Sequence, residues 1–360
     1  VIVNEMIYKS IGIAMETRNG NPIEEEIAKC TCGYVTKELT SLANATCPSC
    51  GSRLISILSG VNRFSTTCFK PIAFFSGEGS RHKTSNRIVN RIKPVLLDAK
   101  PWLTLASGLC YVIRPSIGDR TILYVNRGSG QGFALCPWCG RMERESVIAN
   151  VPNMNRPGAL ASRNHKRPDS GLNCANTNIQ RNIVLTSEIK TNLTEIRFSD
   201  HRNMSSKERY SLLYSLGTVM SRKFAEMIGV DDGEIDFGMT DDHTIFIFDT
   251  HCGGSCYSNQ LGSQNLLERL FDVCRDSLSS CNCAKACTSC LVDRRYQYKL
   301  DDLDRNIAIE WLNWEYRNRN IIPDQLQTLF PNSTITKITK PIEEAMSQLI
   351  HSGNFRWTKY

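Results

Sequence analysis

The sequence predicts an α/β fold, a mixed sheet with about three flanking helices, decorated by small cysteine-rich ribbons and knuckles. Three observations predict it. Apolar residues recur at helical spacing in the C-terminal half, most clearly between residues 207 and 228. Short apolar runs bounded by Gly, Asn, Asp and Ser read as strands. Cysteines stand in close pairs and quartets that no ordinary core accommodates, because neighbours this close along a chain cannot all point inward.

In chain order, residues 1–29 begin apolar and turn polar, a strand or short helix leading into a cysteine-rich region at 30–60. After Val61 the chain is basic, and Phe74-Phe75 is followed by Gly77 and Gly79, a loop signal. The spacing of a phosphate-binding loop is absent there and elsewhere. Leu109–Ile113 and Thr121–Asn126 read as strands, and Gly128-Ser129-Gly130-Gln131-Gly132-Phe133 as a turn leading to Cys136. Residues 150–180, rich in Asn, Arg, Pro and Ser, read as irregular, and Ile183–Leu185 and Glu195–Phe198 as paired strands. Ser205 with Glu208 forms a capping box, and Leu212, Leu213, Leu216, Val219, Met220, Phe224 and Met227 then mark a helix over Lys207–Ile228. Thr244–Phe248 reads as a buried strand ending at Asp249. A second helix is expected at about Gln264–Ser279 and a third at about Asp302–Arg317. Trp311 and Trp314 of the third share its apolar phase, which places them in a core rather than on a base-stacking platform.

Twelve side chains with metal-ligand chemistry fall into three groups: Cys30, Cys32, Cys47 and Cys50; Cys136, Cys139, His165 and Cys174; Cys281, Cys283, Cys287 and Cys290. Both Cys-x-x-Cys-Gly turns, at Cys47 and Cys136, end in the residue that permits a tight knuckle. Zn²⁺ takes four such donors, at about 2.3 Å for sulfur and about 2.0 Å for nitrogen. Disulfides are the competing reading, but a chain of 360 residues with 41% hydrophobic content can build cores without staples. Val1 to Tyr8 is too short for a secretory signal and carries Glu5. We therefore expect two to three zinc ions per chain. Cys68, Cys110 and Cys274 read as buried thiols.

The net charge of +7 is uneven: residues 61–100 hold eight basic side chains against Glu78 and Asp98. Arg81, Lys83, Arg87, Arg91 and Lys93 are the candidate phosphate contacts. A solvated surface helix is the other reading of this run. No stretch reaches the roughly 18 apolar residues of a membrane span. The first residue is not Met, so a longer or processed protein is expected. Four regions are expected: a ribbon region at 1–60, a basic connector at 61–100, the main zinc-binding domain at 101–330 and an extension at 331–360.

The run Ile247-Phe248-Asp249-Thr250-His251-Cys252-Gly253-Gly254-Ser255-Cys256-Tyr257 resembles the Tyr-Asp-Thr-x-x-Gly-Gly-Ala-Gly strand and turn of the MZB family, the zinc-binding domain named after mitomycin-repair helicases. The order that follows also resembles the family: a helix over Leu266–Ser279, the Cys281/Cys283/Cys287/Cys290 knuckle, then Leu303-Asp304-Arg305 opening a helix. Val125-Asn126-Arg127-Gly128 to Phe133 and Cys136-Pro137-Trp138-Cys139-Gly140 look like family pattern too, so the resemblance runs over roughly 95–320. Cys256 departs from it, standing where the family usually has Gly; with Cys252 it is either a metal or redox pair or two bystander thiols. Such domains sit at the C-terminus of superfamily 2 helicases or form a subunit beside one, as in the antiviral systems DISARM (its B subunit) and Druantia (its large helicase subunit). The resemblance implies cytoplasmic DNA work, with a superfamily 2 helicase or ATPase and DNA as partners and no membrane.

Several functional readings follow. The first is a non-catalytic, zinc-stabilised scaffold of a helicase-containing bacterial antiphage defence complex, which docks on the helicase and helps hold DNA. A C-terminal domain of a DNA-repair helicase is its close alternative. A metal-dependent nuclease would draw on Asp231, Asp232, Glu234, Asp236, Asp241 and Asp242. A protein-binding adaptor needs no DNA contact. All-cysteine sites leave no coordination position for water, and no helicase Asp-Glu-x-His box is present, so no catalytic residue is expected on this chain.

Overall fold

A computed structural model describes residues 11–18, 21–37, 46–58, 63–75, 92–100, 102, 110–128, 130–145, 160, 165–198, 204–240, 242, 244–292 and 297–316. Its strands are β1 (Ile11–Met15), β2 (Thr17–Arg18), β3 (Asn21–Pro22), β4 (Glu25–Lys29), β5 (Val35–Thr36), β6 (Thr66–Phe69), β7 (Pro71–Phe75), β8 (Ile92–Leu96) and β9 (Tyr111–Pro115). There follow β10 (Arg120–Asn126), β11 (Phe133–Leu135), β12 (Arg141–Arg144), β13 (His165–Lys166), β14 (Asn173–Cys174), β15 (Gln180–Thr191), β16 (Leu193–Phe198), β17 (Ile235–Met239) and β18 (Thr244–Asp249). Three helices complete it: α1 (Ser206–Ile228), α2 (Gln264–Ser279) and α3 (Arg305–Trp311).

The mixed α/β character is present; fourteen of the described strands divide between two large sheets, and β2–β3 and β13–β14 form separate two-stranded pairs. Ten form a branched sheet whose main path runs β5-β4-β6-β15-β11-β12-β1-β7, with β10 joining β15 to β8. Its pairs are antiparallel except β6 with β15. Strands β1, β4, β5, β6 and β7 from the N-terminal part thus share one sheet with β8, β10, β11, β12 and β15. The second sheet, β17-β18-β16-β9, is antiparallel throughout.

β18 explains why its sequence lacks an apolar–polar alternation. Ile245 and Ile247 pack under the helices with Leu216, Phe224 and Phe271, while Phe246 and Phe248 pack against Leu96, Ile122 and Ile189 of the ten-stranded sheet. A strand covered on both faces is apolar on both. The helix α1 approaches closely through Gly217, where a Cβ would stand 2.2 Å from the Phe237 ring. Trp311 lies in this helical core, at edge-on contact with Phe198 and Phe271.

Two sequence expectations are corrected. Ile183–Leu185 and Glu195–Phe198 are not paired: β15 ends at Thr191, opposite Arg120, and β16 begins at Leu193, opposite Phe248. The chain passes from one sheet to the other at Asn192. Proximity in sequence suggested a hairpin, but strands that continue one another across a single residue have no room for a turn. The third helix also starts later than expected. Gln297–Asp302 forms a 3₁₀ turn, and the Asp304 side chain caps the N–H groups of Asn306 and Ile307, so the α-helix begins at Arg305.

Candidate metal centres and the Gly-Gly turn

The structure brings together the three groups expected from spacing. In each, the ligand atoms lie within 4.8 Å of one another. The first is built from two turns that face each other. Gly33 and Gly51 take left-handed backbone (φ +92° and +72°), their N–H groups donating to the carbonyls of Cys30 at 3.1 Å and Cys47 at 2.8 Å. This places Cys30 Sγ 3.4 Å from Cys50 Sγ, and Cys32 Sγ 3.6 Å from Cys47 Sγ.

The second cluster joins the Cys136–Cys139 turn to the β13–β14 hairpin, where His165 and Cys174 are direct partners across the strands. His165 Nε2 lies 3.3 Å from Cys139 Sγ, and Cys174 Sγ lies 4.0 Å from Cys136 Sγ. All four residues are buried. The Asn176 side-chain amide donates to Cys136 Sγ at 3.4 Å, supporting the ligand from outside.

In the third, Cys281 Sγ lies 3.4 Å from Cys287 Sγ, and Cys290 Sγ lies 3.5 Å from Cys283 Sγ and 3.7 Å from Cys287 Sγ. This knuckle sits where three helices meet. Arg222 of α1 donates to the Cys290 carbonyl. Arg305, the first residue of α3, donates to the carbonyls of Leu278 at 3.1 Å and Cys283 at 3.0 Å, and Asn306 donates to that of Ala284 at 2.7 Å. The Leu303-Asp304-Arg305 motif is thereby accounted for: Leu303 is core, Asp304 caps, and Arg305 clamps the knuckle to the end of α2.

These separations fit a tetrahedral ion. A disulfide needs about 2.05 Å between sulfurs, whereas four sulfurs about 2.3 Å from a common centre stand about 3.8 Å apart. All the described cysteines are free thiols. Thiols packed this closely do not ionise together unaided. Burial pushes Cys32 and Cys290 up to about 12, while the Ser52 hydroxyl holds Cys50 down at about 6. A divalent cation supplies the counter-charge that several thiolates need.

The Gly-Gly turn is a joint between the two sheets. The Asp249 carboxylate, 1% exposed, accepts from the backbone N–H groups of Ser255 at 2.8 Å, Tyr257 at 3.1 Å and Ser258 at 2.9 Å. Gly254 has φ +64°, and a Cβ there would stand 2.3 Å from Asn192 Oδ1. Cys256 adopts φ +59°, a left-handed conformation that favours glycine, and its S–H donates to Asn192 Oδ1 at 3.3 Å. Cys252 and Cys256 are exposed and belong to none of the metal clusters among the described residues. Cys68, Cys110 and Cys274 are buried as expected, and desolvation raises the Cys68 thiol to about 12.

Sequence reasoning did not find Asn192, which carried no motif. Of the candidate phosphate contacts, Arg81, Lys83, Arg87 and Arg91 lie outside the described residues, and Lys93 lies on β8. Asp241 is also outside them. Asp231, Asp232, Glu234, Asp236 and Asp242 form no metal-ligand group among the described residues; Asp231 instead closes a turn by accepting from the Gly233 N–H. No described helix is long and apolar enough to cross a membrane.

The fold and its three clusters define a zinc-binding α/β protein. Residues 216–291 match the family model of MZB, described as the MrfA Zn-binding domain, so the chain carries an MZB-type segment from the middle of α1 through the third cluster. That stretch contains the Gly-Gly turn and all four cysteines of the knuckle, and lies within the 95–320 over which the resemblance was drawn. Two solved structures of the DUF1998 helicase MrfA are similar to part of the chain. The one bound to DNA has 14% identity and TM-score 0.31, covering 56% of this chain and 24% of the helicase chain. The one bound to DNA and AMPPNP has 13% identity and TM-score 0.27, covering 56% and 22%. The chain thus spans about a quarter of those helicase chains. No curated protein matches it.

Proposed function

We propose that this chain is a non-catalytic, zinc-stabilised scaffold that docks on a superfamily 2 helicase core and contributes to DNA binding. The observation that carries this reading is the third cluster, a four-thiol knuckle gripped by residues of α1 and α3 at the end of α2, inside the MZB-matching segment. A four-cysteine site has no open position for water or substrate, which suits a structural role. The ligands would be Cys30, Cys32, Cys47 and Cys50; Cys136, Cys139, His165 and Cys174; and Cys281, Cys283, Cys287 and Cys290. The similar helicase MrfA is bound to DNA in its structures, which makes DNA the partner to test first. Membership of a bacterial antiphage defence complex, and a cytoplasmic location, rest on the resemblance to DISARM and Druantia proteins alone.

The proposed division is a ribbon region at 1–60, a basic connector at 61–100, the MZB-like unit at 101–330 and an extension at 331–360. Because strands from 11–75 pair within the sheet of the MZB-like unit, removing 1–60 should unfold part of that sheet. The test of the whole reading is recovery from the native host, with identification of any copurifying ATPase. The chain alone should hydrolyse no ATP. Recovery without a helicase, or Mg²⁺-dependent cleavage of DNA lost on changing Asp231 and Asp232, would replace the scaffold reading with an adaptor or a nuclease.

A further inference from the structure

Besides its His165 ligand, the second cluster differs from the others in the third residue of its Cys-x-x-Cys turn. A Cys-x-x-Cys turn that aims both sulfurs at one point leaves its two central side chains outside. The residue before the last cysteine is Ser49 in the first cluster and Ser289 in the third, both small and polar. In the second it is Trp138, 77% exposed. The indole stands on a rigid base: Cys136 N–H donates to the Arg141 carbonyl at 2.9 Å, Gly140 N–H donates to the Cys136 carbonyl at 2.9 Å, and Gly140 takes φ +73°.

A basic group is carried to this turn by a second element. Arg141 donates to the Lys166 carbonyl at 2.8 Å, which lays β13 against the knuckle. On β13, His165 turns inward to Cys139 while Lys166 is exposed. The nearby acids are already engaged: Glu143 with Arg141, Glu145 with Arg181 and Asp169 with Arg167. Lys166 forms no ion pair among the described residues, so an exposed cation stands on the strand that Arg141 ties to the turn carrying the exposed indole.

We propose that the second metal centre is a contact for single-stranded nucleic acid, in which Trp138 stacks on an unpaired base and Lys166 takes a neighbouring phosphate. An aromatic face flanked by cations binds any unpaired base, because every base presents a π-face and every nucleotide a phosphate. Bases within a duplex are already stacked, so the contact selects unpaired strand. The inference deepens the DNA-binding reading and rests on it, and it places a contact outside the 61–100 segment.

The test is fluorescence anisotropy of the zinc-loaded full chain with a labelled oligo-dT of about 12 nucleotides, within the range a single binding groove covers, against a duplex of equal length. Trp138→Ala should weaken dT binding roughly 5- to 150-fold, the effect of losing one stacked base, and leave duplex binding unchanged. Trp138→Phe should retain most of the affinity while abolishing the quenching of tryptophan emission that dT produces in the wild type. Lys166→Gln should lower the salt slope by about 0.7. Zinc content should match wild type in every variant, because Trp138 points away from the cluster. If wild type binds DNA but Trp138→Ala and Trp138→Phe behave as wild type, with its quenching intact, this contact is wrong and the DNA reading stands. If wild type binds neither DNA form, both fail.

Discussion

Single residues at the joint and the knuckle have consequences out of proportion to their size. Gly253 and Gly254 are both left-handed, yet only Gly254 sits against Asn192. Gly253→Ala should cost about 1 kcal/mol of stability, the backbone penalty alone, whereas Gly254→Ala adds a steric clash and should cost about 3 kcal/mol or more. Urea denaturation of the two variants checks the difference, and equal losses would mean Asn192 yields. Cys256 already bears the left-handed penalty, offset in part by its S–H contact to Asn192. Arg305 is the other such residue. Arg305→Ala removes its side-chain hydrogen bonds to the Leu278 and Cys283 carbonyls and should destabilise by about 1.5–3 kcal/mol. An Arg305→Lys variant cannot span both carbonyls and should recover only part of this.

The helices show how local signals and the knuckle divide the work. In α1 the capping box is complete: Ser205 Oγ accepts from the Glu208 N–H at 3.2 Å, and Glu208 accepts from the Ser205 N–H at 2.9 Å. Ser205→Ala should cost about 0.5–2 kcal/mol, read from the thermal midpoint. The ends of α2 and α3 depend on the knuckle instead. Cys287→Ser should release close to one zinc per chain, and hydrogen exchange should then rise at Leu278–Ser280 and Asp304–Ile307, because metal binding is folding energy for the connection they share. Exchange confined to residues 281–290 would show that the helix ends hold without the metal. The capping box was legible from four residues, as was the register of α1. The start of α3 was not, since it is set by Asp304 competing with a 3₁₀ turn that helical periodicity does not distinguish from α.

Across the whole molecule, zinc content and charge are the measurable quantities. Elemental analysis should find roughly three zinc ions per chain, by four donors to an ion, and a value below about one would sink the metal assignment. Replacing Arg81, Lys83, Arg87 and Arg91 with Gln should weaken DNA binding at every sequence and lower the salt slope by about one per lost phosphate contact. An unchanged slope would reduce segment 61–100 to a solvated surface.

By itself the sequence marked the close cysteine pairs and the four-cysteine knuckle, the limits of α1 and α2 and the buried strand β18, because cysteine spacing, capping and period are written in neighbouring residues, whereas His165 and Cys174 had no fixed spacing to mark them. Only the tertiary structure decided how the strands divide between two sheets. Asn192 becomes the crossing point because β15 and β16 find partners far along the chain, at Arg120–Asn126 and Thr244–Asp249, and such pairing leaves no local mark. For the same reason Trp138 looked like one residue of a knuckle. Its neighbourhood with Lys166 follows from the packing of the β13–β14 hairpin against the Cys136 turn, a contact between Arg141 and Lys166, 25 positions apart in the chain.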